Sequence, residues 1–350
     1  MVKKETPYLW LFGGGGAATW LIQGLARVGV SLYGILDDNV SGLKALSGLK
    51  ILSPDSKVIT DEIKFNSVVI MAILNPLYDT NLIKDRLVRE GWGKVIDYGQ
   101  WVQEHYNSTK QCAAPITADE MDDLKITQVR ALLEDDESIT NLDNFLGFVK
   151  TGRNIETNID LNIYFTKSIP PMREPLRMID CGAYTADTIL QAKSLGYSID
   201  FVYAFEPDAT NYKKLYQNTK GMNNIICLPC GVGKTTEFVK FECQSDMGSC
   251  IHPNGTNIIQ TVSLDECVFN YSTNFIKMDI EGAEYDALLG AEQILRKYKP
   301  RLAISVYHLP SDIWKIPCFL YDIYGNGAKY YLRHHSRTIA DTVFYVVPYL

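Results

Sequence analysis

The chain has 350 residues, 46% of them hydrophobic, and a formal net charge of -7. That length holds two ordinary hydrophobic cores and is short for three. Net acidity, with no run of Lys and Arg longer than a pair, excludes the extended basic footprint that holds nucleic acid or an anionic membrane, and favours a small or neutral substrate.

Near the N-terminus an apolar run follows Lys3 and Lys4, but Gly13 to Gly16 and Thr19 break it where a membrane helix has to stay apolar. No membrane insertion is expected, and the chain reads as cytoplasmic. The only CxxC pair, Cys227 and Cys230, lies in strand-like IICLPCGV without a second pair at zinc spacing, so the cysteines read as reduced, small apolar fillers.

In chain order, YLWLF is an apolar strand, Gly13 to Gly16 a turn, and the next segment a helix with Ala17, Leu21, Leu25 and Val28 in one stripe. SLYGILDDN is a second strand ending in acids, and VVIMAIL a third before Asn75 and Pro76. These elements predict a Rossmann-like domain over 1–110. From Lys110 onward the periodicity weakens and acids collect in ADEMDD and LEDDES, which predicts a helical connector over 111–160.

The second series fills 161–350. Leu176 to Cys181 is a strand and Gly182 opens the turn. Thr185 is placed to cap a helix that carries Asp187 in its first turn and stops at Gly196. Strands FVYAFEP and IICLPCGV follow, then a polar, hairpin-like insertion over 234–261. NFIKMDI leads through Glu281 and Gly282 into a helix with Leu288, Ala291, Leu295 and Tyr298 on one side, ended by Pro300. RLAISVYH is another buried strand, and AKYYLRHHS with DTVFYVVP an antiparallel pair. The fold class is therefore α/β, two Rossmann-like domains, the second with a mixed sheet.

Gly13 to Asp37 and Gly182 to Glu206 each span 24 positions, close to the roughly 20 that separate a nucleotide-binding glycine turn from the acid gripping a ribose. The first turn, with Gly13, Gly15 and Ala18 in a GxGxxA pattern, offers a helix N-terminus for phosphates and Asp37 or Asp38 for a sugar hydroxyl. This half resembles the small Rossmann-like domain at the start of sugar acetyltransferases, which implies a nucleotide sugar as readily as a nicotinamide.

The second turn, Asp180-Cys181-Gly182-Ala183-Tyr184, is poorer in glycine, which disfavours a pyrophosphate and suits S-adenosylmethionine. That molecule has a ribose diol for Glu206, an amino acid end for the turn around Asp180 and Gly182, and a sulfonium suited to carboxylates and aromatic faces.

DCGAYTADT, VYAFEPD, the insertion leading to VSLDE, IKMDIEGAEYDALLGAEQIL and RLAISVYH are similar, in order and spacing, to the FkbM-type S-adenosylmethionine-dependent methyltransferases. The resemblance covers about residues 160–348, and KxDxEGxE is its most specific element. It implies a class I methyltransferase fold and methylation of hydroxyls on sugars or secondary metabolites. It implies Asp180, Gly182 and Ala183 at the methionine end, Glu206 at the ribose and Cys230 and Gly231 near the adenine, with Tyr184, Pro207 and Asp279 completing the cofactor set. Ala186 stands where relatives usually have glycine, which narrows the turn.

Lys277, Asp279 and Glu281 are spaced by two, so they leave one face of the sheet as a buried strand turns into a helix. Methyl transfer to an alcohol needs alignment and a base. His308, at the end of its own strand, is the preferred base, Glu281 orients substrate hydroxyls or the cofactor amine, and Asp279 is the third catalytic candidate. Lys277 is expected to pair with one of those two acids. No third ligand accompanies Asp279 and Glu281 at a recognisable spacing, so no metal is expected. His334 and His335 lie in one strand, where alternation sends one inward and one outward. Arg333, Tyr307 and Trp314 are candidates to shape the substrate pocket.

The sequence thus predicts an S-adenosylmethionine-dependent O-methyltransferase acting on a sugar or nucleotide-sugar hydroxyl. The rivals are a nicotinamide-dependent sugar oxidoreductase using the Gly13 turn and a non-catalytic nucleotide-binding module. The oligomeric state is left open, homo-oligomer included.

Overall fold

The computed structural model describes residues 7–349 except 15–17, 19–20, 23–24, 26–28, 41–44, 47, 74–77, 105–121, 152–154, 156–159, 243–249, 252–254, 310 and 337. The chain divides into two compact units. One comprises Met1–Asp119, Asn144–Thr157 and Ser336–Ile339; the other comprises Glu120–Asp143, Asn158–His335 and Ala340–Leu350. The expected 111–160 connector is thus shared between the units, with the division falling inside the helix Asp136–Thr151. Its first part joins the second unit through hydrogen bonds: Glu134 N donates to Tyr330 O, and Leu332 N donates to the Ser138 hydroxyl.

The first unit is built on β1 (Tyr8–Phe12), β2 (Gly34–Leu36), β3 (Ala45–Leu46), β4 (Leu49–Leu52), β5 (Ser67–Met71) and β6 (Lys94–Asp97), in the order β3-β4-β2-β1-β5-β6. All pairings are parallel except β3 with β4. Trp10, Leu11 and Phe12 are buried in succession, as expected of a central strand covered on both faces. Of the expected helical stripe, Leu21 and Leu25 are buried; Ala17 and Val28 lie outside the described residues.

The second unit carries β7 (Leu176–Cys181), β8 (Ile199–Phe205), β9 (Ile225–Leu228), β14 (Phe275–Met278), β15 (Arg301–Ser305), β16 (Ala328–His334) and β17 (Thr342–Pro348). They form one sheet in the order β16-β17-β15-β14-β7-β8-β9, parallel throughout except for the pairings of β17. The insertion folds as a small separate sheet of β10 (Gly231–Val232), β11 (Glu237–Glu242), β12 (Cys250–Ile251) and β13 (Asn257–Val262), with β11 antiparallel to β13. From β7 the chain winds outward through β8 and β9, then returns to place β14 on the other side of β7. Strand order therefore reverses between β7 and β14, where open α/β sheets leave a crevice beyond the carboxyl ends of their strands.

One cap differs from expectation. The helix Asp187–Ser194 has Ala186 at its N-cap, at φ 77°, with no side-chain cap, so Thr185 does not fill that role. Ala186 is fully buried and its N–H donates to Ala183 O, which tightens the turn ahead of the position where a hydroxyl would cap. The helix stops as expected, with Gly196 at φ 86°. Among the described residues no helix is long and apolar enough to cross a membrane.

Candidate active site

The turn after β7 is held from three sides. Gly182, at φ 78°, lies so close to the end of β14 that a Cβ would sit 2.0 Å from Asp279 O, so no side chain fits there. Gly182 N and Ala183 N both donate to Phe205 O. At the end of β8, Glu206 is only 6% exposed; its carboxylate accepts from Tyr184 N and Asp208 N, both at 2.9 Å. Burial, partly offset by these two N–H groups, pushes the Glu206 carboxyl up to about 7. Tyr184 is 44% exposed and Ala183 fully buried. Pro207 and Cys230 are half-buried, and burial pushes the Cys230 thiol up to about 11. Gly231 begins β10 opposite Thr261.

Asp180, in the strand that leads into the turn, is fully buried, so it supports the turn from within the sheet and offers no surface to a ligand. Its partner is Lys277, at 3.2 Å, which also donates to Gly182 O at 2.6 Å and lies over the Tyr164 ring. Lys277 was expected to pair with Asp279 or Glu281. Register explains the difference: Lys277 on β14 stands directly opposite Asp180 on β7, and cross-strand neighbours on one face meet side by side. Burial pushes Asp180 up to about 6 against the pull of Lys277. Burial would lower Lys277, but Asp180, Asp279 and Asp187 raise it above its usual range.

Beyond Met278 the chain leaves strand geometry, and Glu281 adopts φ 55°, Gly282 φ 96°. A non-glycine residue held there stores strain, a common mark of functional turns. Glu284, fully buried, is the clamp: it accepts from Ile280 N at 2.8 Å and Gly282 N at 3.0 Å, and pairs with His308 Nδ1 at 2.8 Å. His308 Nε2 points the other way, 3.6 Å from Asp279 Oδ1 and 3.5 Å from Glu281 Oε2. Asp279 also accepts from Tyr164 OH at 2.8 Å and, at 3.4 Å, from Tyr307 OH.

The fold therefore brings together all three catalytic candidates, Asp279, Glu281 and His308, at the ends of neighbouring strands. Burial would lower His308, yet Glu284, Asp279 and Glu281 outweigh it and raise the imidazole to about 10. Burial would raise Asp279, but His308, Lys277 and Tyr164 hold it below the usual range. Burial also raises Glu281, with His308 opposing.

Other expected residues sit elsewhere. His334 and His335 are both buried: His334 contacts the Thr342 hydroxyl and Asn141 O, His335 contacts Asp160 O and the Tyr345 hydroxyl. The alternation argument failed because β16 ends at His334, and His335 lies past the strand. Arg333 is buried against Asp135 and Ser168, and Trp314 is buried in the helix Asp312–Tyr324, so of the three proposed pocket residues only Tyr307 reaches Asp279. In the first unit, Gly13 sits at φ 106°, and Asp37 accepts from Gly14 N at 2.6 Å and Asn39 N at 2.8 Å. Asp38 pairs with Arg86, and Gly15 lies outside the described residues.

Sequence reasoning missed two contributors. Glu284 was within reach, as the last acid of KxDxEGxE. Tyr164 comes from a 3-10 turn, Ile163–Phe165, whose sequence carries no signal of its own.

Residues 180–336 match the methyltransferase FkbM domain family. No curated protein sequence matches the chain. Among solved structures, the chain is similar to an FkbM methyltransferase from Methylobacillus flagellatus at 22% identity, with a TM-score of 0.75 over 98% of this chain and 90% of that one. Weaker similarities are an rRNA methylase from Streptococcus thermophilus (16% identity, TM-score 0.33, covering 51% of this chain and 90% of that one) and Aeropyrum pernix fibrillarin with bound S-adenosylmethionine (13%, 0.34, 53% and 74%). The strand order, the glycine turn and the acid ending β8 agree with the match of residues 180–336 to the methyltransferase FkbM domain family and with the class I methyltransferase fold.

Proposed function

We propose that the protein transfers a methyl group from S-adenosylmethionine to a hydroxyl of a sugar or glycan-related small molecule. The observation that carries this reading is the meeting of Asp279, Glu281 and His308 beyond the carboxyl ends of β14 and β15, at the switch point of the sheet. Bound S-adenosylmethionine supplies a methyl group on a sulfonium, open to in-line displacement by oxygen. The residues fit it. Each Glu206 oxygen accepts one backbone N–H and keeps a further acceptor position for a ribose hydroxyl. Gly182, Ala183 and the exposed Tyr184 ring would border the amino acid end, their own N–H groups being used to hold the turn, while Pro207, Cys230 and Gly231 would flank the adenine. Asp180 acts through Lys277, by fixing the turn.

The acceptor hydroxyl must lose a proton. His308, raised to about 10, already holds one at neutral pH. The accepting group is then a carboxylate beside it, and Glu281 is the more exposed of the two, at 41% against 26% for Asp279. The imidazolium keeps Asp279 and Glu281 from repelling each other and offers its charge to a developing alkoxide. In the first unit, the Gly13 turn with Asp37 is the place for the nucleotide of a nucleotide sugar.

The test is incubation of the purified protein with S-adenosylmethionine and a panel of free, nucleotide-linked and lipid-linked sugars, read by mass spectrometry. A gain of about 14 Da on one class is expected, as a methyl replaces a hydrogen. Methylation confined to nitrogen or to non-sugar acceptors overturns the substrate assignment.

A further inference from the structure

We propose that Asp341 selects the acceptor: its carboxylate takes a hydrogen bond from a second hydroxyl of the molecule being methylated, so the site accepts polyhydroxy compounds and discriminates against simple alcohols. This deepens the sugar reading and rests on it. No motif pointed to Asp341; topology brings it to the site.

β17 runs antiparallel to β15, with Val343 opposite Ser305. The amino end of β17 therefore stands at the rim where the carboxyl end of β15 delivers His308. Backbone bonds fix it there: Val306 N donates to Thr342 O, and His335 N donates to Asp341 O. Strand order sets β17 on the far side of β15 from β14 and β7. Three strand spacings of about 4.8 Å put it roughly 14 Å from β7, clear of the turn at Gly182, and Glu206 on β8 is one strand further still. With the donor assigned to the ends of β7 and β8, the molecule that reaches Asp341 is the acceptor.

The Asp341 side chain is half-buried, yet among the described residues its carboxylate accepts no hydrogen bond and joins no ion pair. Asp279 differs, since one of its oxygens accepts from Tyr164 OH and the other from Tyr307 OH. Withdrawing a carboxylate from water without a donor is unfavourable, and a ligand hydroxyl supplies the donor. The backbone is also strained to hold the group: Asp341 has φ 56° and Glu281 φ 55°, one on the β17 side of His308 and the other on the β14 side. Burial and the charge of Asp279 push the Asp341 carboxyl up to about 6, with His308 opposing, so Asp341 lies within the field of the groups assigned to proton removal. His308 Nε2, on a side chain 9% exposed, makes no hydrogen bond and faces Asp279 Oδ1 at 3.6 Å and Glu281 Oε2 at 3.5 Å. A hydroxyl arriving there meets Glu281. Two strand spacings, roughly 10 Å, separate β14 from β17, a gap that one hydroxyl cannot bridge and a ring carrying several can.

The experiment is steady-state methyl transfer by the full-length protein to the most rapidly methylated sugar of the panel above, to each of its monodeoxy analogues, and to cyclohexanol as the simple alcohol. Asp341→Gly suits the left-handed backbone and removes the carboxylate; Asp341→Asn tolerates the same backbone and removes only the charge. Asp341→Gly should raise the acceptor KM by about 10- to 100-fold with kcat unchanged, the pattern of lost uniform binding, and Asp341→Asn should shift KM the same way by less. Affinity for S-adenosylmethionine, measured by calorimetry, should stay that of the wild type. One monodeoxy analogue should show the KM loss with the wild type and no further loss with Asp341→Gly, because the missing hydroxyl and the missing carboxylate are the two ends of one bond. Cyclohexanol should be a poor acceptor for all three proteins. An unchanged KM in both variants, a further loss with Asp341→Gly on every analogue, weakened S-adenosylmethionine binding in Asp341→Gly, or wild-type transfer to cyclohexanol as fast as to the sugar overturns the assignment. Absence of methyl transfer to every sugar in the panel sinks the sugar reading itself and takes the assignment with it.

Discussion

The two glycine turns of this chain share their wiring and differ in what stands behind them. In each, the acid 24 positions after the glycine accepts one N–H from the turn and one from the residue two places further on: Asp37 from Gly14 and Asn39, Glu206 from Tyr184 and Asp208. That pattern follows from parallel strands ending side by side, and it does not by itself specify chemistry. The second turn has more beneath it and beside it. Lys277 ties its carbonyl to Asp180, and β14 and β15 deliver Asp279, Glu281 and His308 to its rim. The comparison teaches that nucleotide-like geometry is a shared scaffold, and that the neighbouring strand across the switch point decides what is done there.

The hardest blow to the second turn should be Lys277→Met. It leaves the Asp180 carboxylate buried without its cation, which costs about 3–5 kcal/mol. Urea denaturation of the whole chain should show that loss. A change below about 1 kcal/mol would mean that the turn does not depend on the pair.

Next comes the contrast between the two acids. Each hydrogen bond to a charged carboxylate contributes roughly 1.5–3 kcal/mol, so Glu206→Ala should weaken S-adenosylmethionine binding by about 100-fold or more, while Asp37→Ala leaves it unchanged. Calorimetric titration of the folded variants measures both, and equal losses would end the distinction between the turns. The wild type should also carry a pH signature. Ribose hydroxyls donate to the ionised carboxylate, and the Glu206 carboxyl sits at about 7. Affinity is therefore full well above pH 7 and lost as pH falls through it, by about 10-fold between pH 8 and 6. Glu206→Gln should flatten the slope.

How much of this was legible in the sequence divides by range. The turns, their acids and the charges at the end of β14 follow from local pattern, because glycine spacing and two-residue alternation are properties of single elements. The pairing of Lys277 with Asp180 was not legible, since it depends on the register between β14 and β7, which alternation within one strand leaves free. His308 was placed at a strand end by pattern, but its enclosure by three carboxylates needs β15 beside β14 and the Glu284 clamp. His335 was misjudged because a period of two holds only while the strand lasts. Tyr164 reaches Asp279 from 115 positions away, a distance that no motif spans.

The smallest effect separates the turns by backbone alone. Gly13 sits at φ 106°, where a Cβ would also lie 3.0 Å from Ile73 Cγ1, so Gly13→Ala should destabilise the first unit by about 1–2 kcal/mol. The second turn has glycine at the matching position, Gly182, but four residues on, at the helix N-cap, a residue with a side chain is held in the left-handed region: Ala186 at φ 77°, fully buried. Ala186→Gly removes a left-handed penalty of roughly 1–2 kcal/mol and gives back about 0.5–1 kcal/mol as added freedom of the unfolded chain. A net gain of roughly 0.5–1 kcal/mol is expected, read as a higher melting temperature in scanning calorimetry. A lower one would mean that the buried Ala186 methyl contributes more by its packing in the core than its backbone strain costs.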